Sequence, residues 1–190
     1  NMTNPAYVAR VDYSGVKNTR FGISAYYTPS TAKNSTKPSR MEGIKGAITI
    51  LSADAQYYSR DIIARANVIY GNLTESDLIY KENLRNPTAL GYSETPVAKD
   101  VLTYGAEVGY NIGAFFNHKF NLFPFVRYEY YNSMHKTASS ISADPRYKVD
   151  LITAGLNYYI LPNLVAKADY TRRWIGRGRF NNERTISLGL

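Results

Sequence analysis

Apolar and polar side chains alternate with a period of two along most of the chain, the pattern of β-strands that have one apolar face. In residues 151–159, Ile152 and Leu156 share one parity, whereas Thr153 and Asn157 have the other. Nine segments follow this pattern: 6–13, 20–27, 47–58, 62–70, 103–111, 123–131, 151–159, 164–172 and 184–190. The sequence therefore predicts an all-β protein of nine strands.

Charged residues on the polar parity predict which face of the sheet meets water. They are five basic residues and five acidic ones: Arg10, Arg20, Arg65, Arg127, Lys167, Asp12, Asp54, Glu107, Glu129 and Asp169. The interior of a small soluble barrel is filled with apolar groups, and burying each unpaired charge there would cost several kcal/mol. An antiparallel transmembrane β-barrel avoids this cost, because its apolar face meets lipid and its polar face lines a water-filled lumen.

The predicted lipid-facing residues follow from the apolar parity. One representative of each strand is Tyr7, Phe21, Leu51, Val68, Val108, Val126, Leu156, Ala168 and Leu188. Tyrosines near the strand ends are expected to form the aromatic girdles found at membrane interfaces.

Short and long connections alternate between the predicted strands. The short ones are 14–18, 59–61, 116–121 and 160–163, and the long ones are 28–45, 71–102, 132–150 and 173–183. Outer-membrane barrels have short periplasmic turns and long extracellular loops, so the long connections are predicted to be extracellular. Segment 71–102 is predicted either to include a short helix, which folds into the lumen as a constriction, or to be a plain surface loop.

The number of strands has a consequence for closure. Single-chain bacterial barrels of this kind have an even number of strands, so at least one further strand is expected before Asn1. A small barrel of about ten strands and a larger one of about sixteen both fit this expectation. The 190 residues are then the C-terminal portion of one barrel domain.

Composition excludes several other classes. The chain has 18 Tyr and 7 Phe against one Trp, a mean hydropathy of −0.35 and no cysteine. No apolar stretch approaches the ~20 residues of a transmembrane helix. Disulfides and thiolate sites are impossible without cysteine, and no cofactor or metal is expected.

Four stretches in the C-terminal half resemble the last strands of Gram-negative general porins, in the superfamily of the phosphate-selective porins. They are "LTYGAEVGYNIG", "LFPFVRYEYYN", "AGLNYYILPNLVAKADYTRR" and "NNERTISLGL", and "AYVARVDYSGVKNTRFGISAYY" is a weaker match. The resemblance implies a passive channel of about sixteen strands, commonly trimeric, in the outer membrane. The chain departs from the pattern at Leu190, where such porins usually end in an aromatic residue.

The net charge of +8 is predicted to lie at the ends of the strands, because the ten charges on the polar parity cancel. Arginines concentrate near the last long connection, around Trp174 and Phe180: Arg172, Arg173, Arg177, Arg179 and Arg184. Such a cluster would draw anionic solutes toward a pore by electrostatic focusing. Alternatively, it binds lipopolysaccharide phosphates or is simply solvated.

The charges predicted on the lumen wall also allow two interpretations. Arg10, Arg65, Arg127 and Lys167 would form an anion ladder or selectivity ring. Alternatively, they form cross-strand ion pairs with Asp12, Glu107, Glu129 and Asp169. The two histidines, His118 and His135, are predicted at opposite ends of the strands, which disfavours an enzyme with a Ser/His pair.

The function predicted from these patterns is passive diffusion of small hydrophilic, anionic solutes across the outer membrane. The alternative is a non-conducting barrel that serves as a structural subunit of a larger outer-membrane assembly. Expected partners are outer-membrane lipid, lipopolysaccharide and further copies of the chain as a homotrimer, or the other subunits of a complex. Nucleic acid is not expected, because the basic residues do not interleave with aromatic ones along the strands.

Overall fold

The computed structural model describes residues 4–31, 41–85, 96–178 and 181–190, and it contains all nine predicted strands. In chain order they are β1 (Tyr7–Tyr13), β2 (Thr19–Thr28), β3 (Ile48–Tyr58), β4 (Ile62–Leu73), β5 (Asp100–Tyr110), β6 (Asn121–Lys136), β7 (Lys148–Leu161), β8 (Leu164–Ile175) and β9 (Asn182–Gly189). One helix, α1 (Ser76–Arg85), lies between β4 and β5, and short 3₁₀ turns occupy Ile112–Phe116 and Pro145–Tyr147. No helix in these ranges is long and apolar enough to cross a membrane.

The strands form a single antiparallel sheet in the order β1 to β9. Every strand pairs with its neighbours in sequence, so the prediction of an all-β antiparallel fold is confirmed. Within the described ranges β1 and β9 do not pair with each other, and the sheet is open at both edges. Every residue of these two edge strands is exposed.

Several strands continue into segments that the sequence predicts as connections. β4 extends to Leu73, β6 to Lys136 and β8 to Ile175, while β7 already begins at Lys148. The apolar alternation ends earlier than the backbone ladder, because hydrogen bonds between strands do not require an apolar side chain. Helix α1 begins at Ser76 within segment 71–102, where the sequence left a helix and a plain loop open.

The register keeps the apolar parity of all nine strands on one face of the sheet. Val11 pairs with Ile23, Ala53 with Val68, Val108 with Val126, Leu156 with Ala168, and Ala168 with Leu188. A slip of one residue between any two strands would move a whole apolar set to the opposite face. The register therefore produces one continuous apolar surface, called the apolar face below, and an opposite polar face.

Nothing in the described chain covers the apolar face. Val108 is 56% exposed, Leu156 46% and Leu188 81%. The buried apolar side chains in these ranges are few, and none belongs to the apolar parity at the centre of a strand: Ile44, Phe123, Phe125, Met134, Ile141 and Val149. The sheet is thus held by its backbone ladder and cross-strand pairs rather than by a packed core beneath the apolar face.

Asn111 organises the turn between β5 and β6. Its side chain is fully buried, and its Oδ1 atom accepts hydrogen bonds from the backbone N–H groups of Gly113 (3.0 Å) and Leu122 (3.2 Å). Its Nδ2 atom donates to Oδ1 of Asn121 at 3.0 Å. One side chain therefore satisfies backbone donors on both sides of the turn.

We expect Asn111→Ala to lower the free energy of unfolding by about 1–3 kcal/mol, because two backbone N–H groups lose their acceptor. The midpoint of urea unfolding measures this change. Asn121→Ala is the matched control, since Asn121 is exposed and its removal leaves both N–H groups bonded to Asn111. Equal destabilisation by the two variants would contradict the role assigned to Asn111.

Candidate functional site

The polar face carries a row of charges across β4, β5 and β6. Arg65 is the register partner of Glu107, and Glu107 is the register partner of Arg127. The Glu107 carboxylate lies 3.8 Å from Nη1 of Arg65 and 3.1 Å from Nε of Arg127. Arg127 also approaches Glu129, with Nη1 3.8 Å from the carboxylate oxygen. Glu107 thus lies between two guanidinium groups and partly neutralises both.

A second cluster lies across β1, β2 and β3. Nη2 of Arg10 contacts Oδ1 of Asp12 at 2.7 Å and Oδ1 of Asp54 at 2.8 Å, and Nε of Arg20 lies 4.0 Å from Asp12. Arg10 reaches Asp54 by passing over Gly22 of the intervening strand. A Cβ atom at Gly22 would overlap the Arg10 guanidinium, so the glycine leaves room for this contact.

The structure therefore forms ion pairs at three of the four basic wall candidates, Arg10, Arg65 and Arg127. Lys167 and Asp169 make no ion pair with any residue that the structure describes. Their register partners across β7 are Asn157 and Gly155, neither of which is charged. Part-exposed pairs of this kind contribute little to stability, about 0–1 kcal/mol each, so they remain open to ions in solution.

Five of the predicted wall residues line one cavity on the polar face. These five residues are Arg65, Glu107, Arg127, Lys167 and Asp169. The cavity has a volume of about 180 Å³, and Phe125 and Tyr159 also line it. It is a charged, water-accessible depression that holds three basic and two acidic groups.

Hydroxyl pairs on the polar face were missed in the sequence. Ser24 and Ser52 are 2.6 Å apart between their Oγ atoms, and the Oγ1 atoms of Thr153 and Thr171 are 2.9 Å apart. Ser and Thr on the polar parity are common enough that only the register shows which of them meet. They extend the polar lining beyond the charged rows.

Strand parity separates the arginines near the last long connection. Arg172 lies on the apolar face, where its guanidinium lies 4.8 Å from the centre of the Trp174 ring and its Nε atom donates to Oδ1 of Asn182 at 3.2 Å. Arg173 lies on the polar face, and its Nη2 atom contacts the Glu183 carboxylate at 2.9 Å. Two consecutive arginines therefore point to opposite sides of the sheet.

The remaining arginines of the predicted cluster do not all lie together. Arg184 is the register partner of Arg172 and is exposed on the apolar face. Arg177 is exposed in the connection between β8 and β9, and Arg179 lies outside the described residues. In the preceding loop, hydrogen bonds from the side chain and backbone of Arg146 lower the pKa of Asp144, and the charge of Arg177 contributes a smaller effect.

The two histidines are far apart. Nε2 of His118 lies 2.7 Å from Oδ1 of Asp61, which links the β3–β4 and β5–β6 turns. His135 lies near the opposite end of β6, about 45 Å away at the rise of an extended strand. The ranges described contain no group of three or more residues that could hold a metal ion.

Comparison with known proteins found no match: neither a protein-family profile nor a curated protein is similar to the chain.

Proposed function

We propose that the chain forms part of an outer-membrane β-barrel channel, through which small hydrophilic, anionic solutes diffuse passively. The observation that carries the proposal is the two-faced sheet. Its apolar face is continuous over nine strands and exposed, while its polar face carries the charged rows and the hydroxyl pairs. A soluble protein would need to cover such an apolar surface, whereas lipid covers it in a membrane.

The strand order supports closure with additional strands. In a nine-stranded antiparallel sheet β1 and β9 run in the same direction, so joining them directly would produce a parallel pair. An antiparallel closure needs an odd number of further strands between them. We place the chain in a porin-like barrel of about sixteen strands, of the phosphate-selective porin superfamily, which assembles as a homotrimer among outer-membrane lipids.

Passive diffusion, rather than tight solute binding, fits the polar face. Arg10, Arg65 and Arg127 are paired and part-exposed, and the cavity beside Glu107 and Lys167 contains both signs of charge. Specific capture of an anion would require unpaired donors that converge on one point. Anion preference then comes from the excess positive charge of the loops and turns, and we expect it to be weak.

The test is the conductance of the protein in planar bilayers under a salt gradient. We expect open channels with a weak anion preference that declines as salt rises, because the screening length falls from about 8 Å at physiological ionic strength to about 3 Å at 1 M. If the protein inserts into the bilayer but does not conduct, the channel hypothesis is rejected. The alternative, a structural subunit of a larger outer-membrane assembly, then takes its place. A cation preference would refute the proposed solute class.

A further inference from the structure

We propose that Arg172 and Arg184 form a binding site for the phosphate of an anionic lipid headgroup on the apolar face of the sheet. This inference depends on the proposed membrane setting, but not on conduction. It starts from the register of β8 and β9, in which the two arginines are directly opposite each other. Side chains in such positions have Cβ atoms about 4.5–5.5 Å apart, and like charges placed there repel.

No carboxylate in the described chain neutralises this pair. Glu183, adjacent to Arg184 in sequence, lies on the polar face and contacts Arg173. Asp150 lies on the apolar face opposite Trp174, but its carboxylate makes no ion pair with Arg172 or Arg184 within 4.0 Å and accepts a hydrogen bond from the Tyr128 hydroxyl at 2.7 Å. Two arginines are therefore opposite each other on an apolar surface without an acidic partner, an arrangement that an external anion would stabilise.

The surroundings specify a lipid rather than a free anion. On the side nearer the strand centres, Tyr170 and Ile186 are the next pair on the same face, both exposed and apolar in character. On the side nearer the loop, Trp174 and Asn182 form the next pair. Trp is enriched at the level of lipid headgroups, so the arginines lie where acyl chains end and phosphates begin.

The geometry of the pair suits a phosphate. Each guanidinium presents several donors in a planar fork, and arginine binds phosphate oxygens by two parallel hydrogen bonds. Stacking on Trp174 holds the Arg172 guanidinium at 4.8 Å from the ring centre. Arg172 is therefore partly ordered before the lipid binds, which lowers the entropy lost on binding.

Trp174 provides a direct reporter, because it is the only tryptophan in the chain. The full chain in zwitterionic detergent is titrated with short-chain phosphatidylglycerol, and separately with phosphatidylcholine of the same chain length. We expect a saturable change in Trp174 fluorescence with phosphatidylglycerol at concentrations well below those needed for phosphatidylcholine. Removing a charged hydrogen-bonding partner should weaken binding by about tenfold or more, so Arg184→Gln should raise the phosphatidylglycerol midpoint by that factor.

Arg184→Gln leaves the Arg172–Trp174 contact in place, and Arg172→Gln tests the second half of the site. The matched control is Arg173→Gln, which removes the same charge one residue away but on the polar face, and its midpoint should remain that of the unmodified protein. Equal midpoints for the two lipids, or an equal loss in Arg173→Gln, would overturn the proposal. Inorganic phosphate that gives the same signal at or below the lipid midpoint would also overturn it, in favour of a free-anion site.

The proposed channel is measured separately, by insertion and conductance of the same variants. A protein that does not conduct but binds phosphatidylglycerol through Arg184 would support the lipid site and refute the channel. A protein that conducts but binds both lipids equally would support the channel and refute the lipid site.

Discussion

Replacing Leu156 by arginine should destabilise the protein in a bilayer by about 2–4 kcal/mol, the effect of a basic residue on the lipid face near the midplane of a membrane barrel, and Val108→Arg should cost less. Leu156 lies near the middle of β7, whereas Val108 lies two residues from the end of β5. Both are on the apolar face with apolar register partners: Ala64 and Val126 for Val108, Pro124 and Ala168 for Leu156. Because both side chains are exposed, the expected loss of stability differs between a lipid-facing and a water-facing surface. In a water-soluble protein, substitutions at exposed positions such as these usually change stability by less than about 0.5 kcal/mol.

The control for this prediction is Asn157→Arg, at the residue that follows Leu156 on β7. Asn157 lies on the polar face between Phe123 and Lys167, so an arginine there should meet water and be tolerated. Urea unfolding in lipid vesicles, followed by the shift of the folded band in unheated gels, measures both variants. If Leu156→Arg and Asn157→Arg lost equal stability, the assignment of the apolar face to lipid would be wrong.

Glu107→Gln should produce the largest change in ion selectivity, toward anions. Glu107 is the shared partner of Arg65 and Arg127, so its neutralisation leaves two guanidinium groups on the polar face with one less negative charge between them. In the proposed channel these groups line the lumen, where charges are screened less than on an open surface. We therefore expect the reversal potential to shift in the anion direction, and the shift to persist at about 1 M salt.

Glu183→Gln is the matched control for Glu107→Gln, because it also frees an arginine, Arg173, by removing one carboxylate. Glu183 lies at the loop end of β9 rather than near the middle of a strand, so its effect should be visible at low salt and largely lost at high salt. Identical salt dependence for the two variants would show that the wall charges do not control selectivity separately from those at the loop end.

The sequence was sufficient for the strands and their faces. Alternation is a local signal, and one residue of slip exposes the wrong parity, so the pattern is enough to place Val108 and Val126 on the same face. A slip of two residues keeps the parity, so their pairing with each other is seen only in the register of the structure. The individual ion pairs could not be predicted from the sequence in the same way. Arg10 meets Asp54 from two strands away across Gly22, and no local spacing indicates that contact.

The last arginines show a different limit of sequence reasoning. Segment 173–183 is predicted as a loop, in which the orientation of side chains is undefined. In the structure β8 continues to Ile175 and β9 begins at Asn182, so strand parity extends to Arg173. The ladder places Arg173 on the polar face, whereas Arg172 and Arg184, the end residues of predicted strands 164–172 and 184–190, are opposite each other on the apolar face.

The order of the strands also constrains how such a protein changes in size during evolution. Each strand pairs only with its neighbours in sequence, so a hairpin such as β3 and β4 is a unit whose outer edges are antiparallel to whatever flanks it. Duplication or loss of a hairpin preserves the direction of every later strand, and with it the end of the sheet at which each connection emerges. Gain or loss of a single strand would invert all that follow and exchange long loops with short turns. The width of the sheet is therefore expected to change in steps of two strands, and relatives with different numbers of strands should share the same sidedness of their loops.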